Sequence, residues 1–196
     1  MHIILASASP RRIQLLEQIG LTAAVCPSTL PETTNAEDPA EVVRRLSAQK
    51  AEDIAGKIRN DETNDTGDTV VIGADTVVAV DNRILGKPRS HEEAYQMIAA
   101  LQGRTHQVHT GVTVLGSQKR VTFVETSMVE VAPMTQKEIR EYADSEEPMD
   151  KAGGYGIQGI FGRYVTGIHG DYNNIVGLPT AHLYRVLKEF GLRQDG

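Results

Sequence analysis

The segment Ala6-Ser7-Ala8-Ser9-Pro10-Arg11-Arg12 places two hydroxyl residues where an apolar run ends and two arginines in the first turn of a predicted helix. A helix N-terminus presents unpaired N–H groups and the positive end of its dipole, so it attracts anions, and stability alone favours Asp or Glu in that turn. Arg11 and Arg12 break this local rule, as functional sites do. The favoured reading is a phosphate cradle, in which Ser7, Ser9 and backbone amides surround the oxygens and an arginine forks onto them. The competing reading is an ordinary N-cap followed by two solvated arginines. The segment lacks the Gly-Lys-[Ser/Thr] ending of a Walker A loop, which counts against an ordinary P-loop ATPase.

A second unusual stretch is Val70-Val71-Ile72-Gly73-Ala74-Asp75-Thr76-Val77-Val78, where an apolar strand runs into an acid and a hydroxyl and then resumes. Asp is disfavoured in strands. Asp75 is expected either to act as a general base or to hold a divalent metal, with a turn-capping Asp as the alternative. Glu32, in the proline-bounded Leu30-Pro31-Glu32-Thr33, is a further metal-ligand candidate. Lys50, Lys87 and Lys151 each read singly as solvated charges; their weight is collective, and only if they converge. Lys151 opens Asp150-Lys151-Ala152-Gly153-Gly154-Tyr155-Gly156-Ile157-Gln158-Gly159. Gln158 offers both an acceptor and a donor, which suits the mixed edge of a uracil or thymine ring. Eight of the 18 glycines fall within residues 153–177, which fits either tight turns or a loop wrapped on a ligand. His106 and His109, three apart on a predicted strand, point to opposite faces. They are read as a hydrogen-bonded structural pair or as site-lining residues rather than as zinc ligands.

The elements that must position these groups alternate between strand and helix. Apolar runs at residues 2–6, 69–74, 77–80, 84–85, 107–115, 120–131 and 160–168 read as strands. Asp81-Asn82 and residues 116–119 read as turns between strands. Ser9-Pro10 and Asp38-Pro39 are helix starts with proline in the first turn. Ser90-x-x-Glu93 and Thr135-x-x-Glu138 match capping boxes, and Leu178-Pro179-Thr180 opens a last helix that stops near Gly191. Residues 60–68, NDETNDTGD, read as a polar surface loop. Crossovers mixed with hairpins predict an α/β fold with a mixed sheet.

Composition bounds the function. With 20 Lys+Arg against 26 Asp+Glu the chain carries a net charge of −6, a poor match to a long nucleic acid, which rewards a basic face. No apolar run approaches the ~18–20 residues needed to cross a bilayer. Cys26 is the only cysteine, is read as a small core residue, and fits a reducing compartment. The expectation is a cytoplasmic protein with one domain over residues 1–196.

The ordered set Ala-Ser-x-Ser-Pro-Arg-Arg, Pro-Glu, Lys50-Ala, Gly-Ala-Asp-Thr-Val, Gly-Lys-Pro, Gly-x-x-His-x-Val, Asp-Lys-Ala-Gly and Gly-Asp-Tyr-x-Asn-x-Val-Gly-Leu-Pro resembles the Maf family of nucleotide pyrophosphatases from about Ile3 to Leu187. The resemblance implies a mixed, elongated, twisted sheet flanked by helices, two lobes with a deep cleft, and a homodimer. It implies a hydrolase that cleaves nucleoside triphosphates between the α and β phosphates with a divalent metal, Mg²⁺ or Mn²⁺. Asp75 matches the proton acceptor, Arg11, Thr76 and Gln158 match specificity positions, and Ser7, Ser9, Arg12, Lys50, Lys87 and Lys151 match phosphate and substrate contacts. Asp75 and Glu32 match the acids near the metal. The branch acting on 7-methyl-GTP typically carries Ser-Glu-Gly where this chain has Ile157-Gln158-Gly159. A glutamate accepts only and suits guanine, whereas Gln158 and Gly-Ala-Asp-Thr resemble the dTTP/UTP branch. The alternatives are a non-catalytic nucleotide-binding regulator of cell division and a 7-methyl-GTP or ITP/XTP pyrophosphatase.

Overall fold

The computed structural model describes residues 1–59 and 69–192; the predicted polar loop 60–68 lies outside them. The elements run β1 (His2–Leu5), α1 (Pro10–Gln18), β2 (Ala24–Val25), α2 (Pro39–Arg59), β3 (Thr69–Val80), β4 (Arg83–Leu85), α3 (His91–Leu101), β5 (Thr105–Leu115), β6 (Arg120–Val131), α4 (Gln136–Ala143), β7 (Val165–His169), α5 (Tyr172–Val176) and α6 (Thr180–Glu189). Short 3-10 turns occupy Glu147–Asp150, Ala152–Gly154 and Ile160–Tyr164. Among the described residues seven strands form one mixed sheet in the order β2-β1-β3-β5-β6-β7, with β4 paired to β3. β1 is parallel to both β2 and β3, while β3–β4 and β6–β7 are antiparallel. This is the α/β class expected. No described helix is long and apolar enough to cross a membrane.

The chain divides into two compact units, Met1–Asp75 with Thr110–Val124 and Gly177–Gly196, and Thr76–His109 with Glu125–Val176. In the first, α2 lies against β3 and β5 through backbone contact. A Cβ added at Gly73 would stand 2.1 Å from the Ser47 carbonyl oxygen and 2.7 Å from the Ala51 nitrogen, and one at Gly111 would stand 2.2 Å from the Val43 carbonyl oxygen. Only glycine permits this approach. Ile4, Val71, Ala51 and Ile54 fill the core beside it, and Cys26 packs there half-buried. Gly73 and Asp75 share one face of β3, since side chains alternate along a strand, so the close approach of α2 carries Lys50 to Asp75. Gly73→Ala is expected to destabilise this unit by at least about 1–3 kcal/mol, the usual cost of overpacking, read as a fall in the urea midpoint.

The second unit closes around Val78, Ile98, Leu101, Val108, Val129 and Phe161. Two of its helices, α3 and α4, begin where the caps predict. The Ser90 hydroxyl accepts from the Glu93 N–H. Thr135 and Glu138 form the full reciprocal box, whereas the Glu93 carboxylate reaches the N–H of Arg89 instead. Asp81 and Asn82 both take positive φ, as a two-residue turn matched to strand twist requires.

Several expectations change, and the two-residue β2 has no counterpart among the predicted strands. The predicted strands 69–74 and 77–80 are one twelve-residue strand, so Asp75 stands in its middle rather than at an end. The predicted strand 160–168 is a 3-10 turn through Tyr164, then β7. The short helix α5 has no counterpart among the predicted elements, because its five residues are too few to show a helical period.

Candidate active site

Asp75 is 7% exposed in the middle of β3. A buried carboxylate needs a cation and hydrogen bonds, and Lys50 supplies both. Its ammonium, on a side chain 13% exposed, lies 2.6 Å from Asp75 Oδ1 and 2.7 Å from Glu32 Oε1. Glu32, 59% exposed, reaches in from the loop before α2. Asp38 fixes where α2 begins by accepting from the Glu41 N–H at 2.9 Å. The helix then presents Lys50 to β3 over Gly73. The sequence names these three residues separately; the fold makes them one acid–lysine–acid group.

Arg12 belongs to the same unit and is buried. Its Nε donates to the Gly177 carbonyl at 2.9 Å and its Nη1 to the Ser7 hydroxyl at 3.0 Å. Burial lowers its pKa from the ordinary value, and Asp75 and Glu32 pull it back upward while Arg11 opposes them. Arg12 is therefore not one of two solvated arginines. Ser7 Oγ also accepts from the Ser9 N–H at 3.3 Å. Ser9 stands at the N-cap of α1, yet its side chain makes no capping hydrogen bond, and the first turn holds no acid. The start of α1 thus combines a positive dipole end with Arg11 and Arg12, electrostatics that favour an anion. Gly177, whose carbonyl orients Arg12, is a positioning group that sequence reasoning misses, since nothing local ties it to a residue 165 positions away.

The other candidate residues lie in the second unit. Thr76 follows Asp75 on the opposite face of β3 and is half-buried. Lys87 is exposed in the Gly86-Lys87-Pro88 turn. That turn is joined to the glycine-rich loop by the Gly153 N–H, which donates to the Gly86 carbonyl at 2.9 Å. Gly153 has φ +70° and sits against Val78, where a Cβ would approach within 2.8 Å; both facts demand glycine. Lys151 is largely buried, with its ammonium 2.6 Å from both the Glu147 carbonyl oxygen and Asp150 Oδ1. Gln158 is exposed on the same loop. Close packing against protein accounts for several of the clustered glycines.

His106 and His109 do not pair with each other. His106 Nε2 lies 2.7 Å from the Tyr155 hydroxyl and His109 Nδ1 lies 2.9 Å from Thr126 Oγ1. His106 is 1% exposed, and burial lowers its pKa from 6.5 to about 4. Between those values the unfolded chain binds a proton that the folded chain refuses. Stability present above pH 6.5 is therefore lost as pH falls toward 4. The expected loss, up to about 3 kcal/mol, is read as the difference in pH dependence of urea unfolding between wild type and His106→Gln. Matching profiles would remove the assignment.

Among the described residues no three His, Cys, Asp or Glu side chains are grouped to hold a metal. Asp75 and Glu32, however, already meet on one cation, the Lys50 ammonium. Mg²⁺ is ordinarily held through one or two carboxylates together with substrate phosphates, so this donor pair fits a metal that arrives with a nucleotide.

Three relatives named dTTP/UTP pyrophosphatase span nearly the whole chain. The protein of Agathobacter rectalis is 49% identical over 97% of this chain and 98% of its own length. That of Lachnoclostridium phytofermentans is 48% identical over 97% and 96%, and that of Carboxydothermus hydrogenoformans is 48% identical over 97% and 100%. The family model described as Maf-like protein matches residues 2–190, and the chain belongs to the Maf family.

Proposed function

We propose that this protein is a nucleoside triphosphate pyrophosphatase that hydrolyses dTTP and UTP between the α and β phosphates, releasing the monophosphate and pyrophosphate. The observation that carries the reading is the buried Asp75, tied to Lys50 and Glu32 in the unit that holds Arg12 and the start of α1. Relatives at 45–49% identity carry the same activity as their name.

In this reading Asp75 takes a proton from the water that attacks the α phosphorus. Lys50 engages only Oδ1, and a carboxylate has further lone pairs to receive that proton. General-base help is worth roughly 10²–10⁴-fold; positioning and charge neutralisation supply most of the rest. Arg12, held from two sides, and the α1 N-terminus neutralise phosphate oxygens, with Ser7, Ser9 and Arg11 around them. The family resemblance assigns Lys87 and Lys151 to phosphate or substrate contact and Thr76 and Gln158 to base selection. Asp75 and Glu32 would hold a divalent metal, Mg²⁺ or Mn²⁺, whose chemistry is to offset phosphate charge. We also propose that residues 1–196 act as one catalytic domain and that the protein forms a homodimer, which light scattering tests.

The deciding experiment incubates the protein with Mg²⁺ or Mn²⁺ and a panel of dTTP, UTP, other canonical triphosphates, ITP, XTP and 7-methyl-GTP, and identifies the products. Pyrophosphate with dTMP and UMP is expected. Turnover of ITP, XTP or 7-methyl-GTP alone would overturn the pyrimidine assignment. Nucleotide binding without any turnover would favour a regulator over an enzyme.

A further inference from the structure

The segment that carries Lys151 and Gln158 is held from outside by one residue. Glu147, half-buried in the 3-10 turn after α4, uses both its side chain and its backbone. Its carboxylate accepts from the Ile160 N–H at 2.8 Å (Oε2) and, through Oε1, from the Phe161 N–H at 3.3 Å and the Tyr142 hydroxyl at 3.1 Å. Its carbonyl oxygen accepts from the Lys151 ammonium at 2.6 Å. The carboxylate also lies flat against Gly159, where a Cβ would stand 2.3 Å from Oε1 and 2.6 Å from Oε2. Gly159 has φ −103°, which any residue adopts. What a side chain at this position would meet is the Glu147 carboxylate, which it would have to displace. The backbone of Gln158, whose side chain is exposed, thus lies between a turn, in which the Gly159 N–H donates to the Gly156 carbonyl, and the two clamped amides that follow.

We propose that Glu147 is a positioning residue for substrate selection. It holds Lys151 by its carbonyl and the Gln158 segment by its carboxylate, so that both are ordered before the nucleotide arrives. No step of the hydrolysis uses it. The inference rests on the pyrophosphatase reading, because base selection is assigned to Gln158 there. Charge-assisted bonds to backbone N–H groups are the strong kind. An ordered contact group spares the ordering cost that a loose one meets on binding. Loss of Glu147 should therefore appear in KM and in base preference, with kcat little changed.

The test compares Glu147→Ala, Gly159→Ala and the double variant with wild type, each checked by melting temperature. Glu147→Ala is expected to raise KM for dTTP roughly tenfold and to weaken the preference for dTTP over GTP. Gly159→Ala should act in the same direction by displacing the carboxylate. The double variant should be no worse than Glu147→Ala alone, because the added methyl group then has room; independent effects would add. A folded Glu147→Ala with wild-type KM and preference would overturn the proposal, as would a loss confined to kcat or additive single effects. If Glu147→Ala does not fold, Gly159→Ala alone decides on the same two readouts. Amide hydrogen exchange at Ile160 and Phe161 separates the two levels of inference. Faster exchange in the variant is expected whether or not wild type turns over dTTP, and unchanged exchange would remove the clamp itself. A wild type inert on every triphosphate, by contrast, would overturn the function and leave the clamp to be judged by exchange.

Discussion

Asp75→Asn is expected to lower kcat on dTTP by at least about 10²-fold while leaving the fold intact, as general-base help is worth roughly 10²–10⁴-fold. Asparagine keeps the size of the side chain and an oxygen that can still accept from Lys50, so the contact across α2 and β3 survives in neutral form. What it cannot do is take the proton of the attacking water. The change removes the base and also one of the two carboxylates assigned to the metal, so both effects fall on turnover rather than on the fold. Steady-state pyrophosphate release, with a melting curve as the control for folding, checks it. Wild-type turnover in a folded Asp75→Asn would remove the assignment of the base.

Lys50→Met is expected to be as severe and to differ in kind. Methionine retains an apolar stem but not the cation that Asp75 and Glu32 share. Removing one partner of a buried ion pair leaves an uncompensated charge, at a cost of about 3–5 kcal/mol. Because Glu32 is 59% exposed and can turn to water, the burden falls on Asp75, and roughly 3 kcal/mol is the expected loss. Turnover should fall by about 10²-fold or more as well, since the base loses the group that fixes it. Equilibrium unfolding in urea and dTTP kinetics measure the two effects separately. A variant that is both stable and fully active would mean that the acid–lysine–acid group serves neither role.

Much of the fold is legible in the sequence because local rules agree with it. Ser90 and Thr135 cap the helices that the sequence predicts them to cap, proline follows the cap of α1, and Asp81-Asn82 makes the β3–β4 turn. The short α5 and β2 are missed for their length, but the other failures share one cause, a partner elsewhere in the chain that changes the local balance. A lone carboxylate is out of place in a strand, so the sequence predicts a strand end at Asp75; Lys50, 25 positions earlier, satisfies it and β3 continues. The apolar run from Ile160 reads as extended, but the Ile160 and Phe161 amides turn toward Glu147 instead of a neighbouring strand. The two histidines read as a hydrogen-bonded structural pair or as site-lining residues; they do not pair with each other, and each meets a hydroxyl from another element.

The candidate site divides in the same way. Sequence alone determined which groups are present and which rules they break: hydroxyls and arginines at a helix start, an acid within an apolar strand, a glutamine among glycines. These are matters of residue type and spacing, which propensity and periodicity register. Which groups meet depends on the folded chain. It set Lys50 between Asp75 and Glu32 because two glycines let α2 rest on the sheet, turned Arg12 inward onto Gly177 and Ser7, and gave Glu147 its hold on the Gln158 loop. Such contacts depend on backbones approaching within a few ångströms of each other across long separations in the chain, and no local pattern encodes that distance.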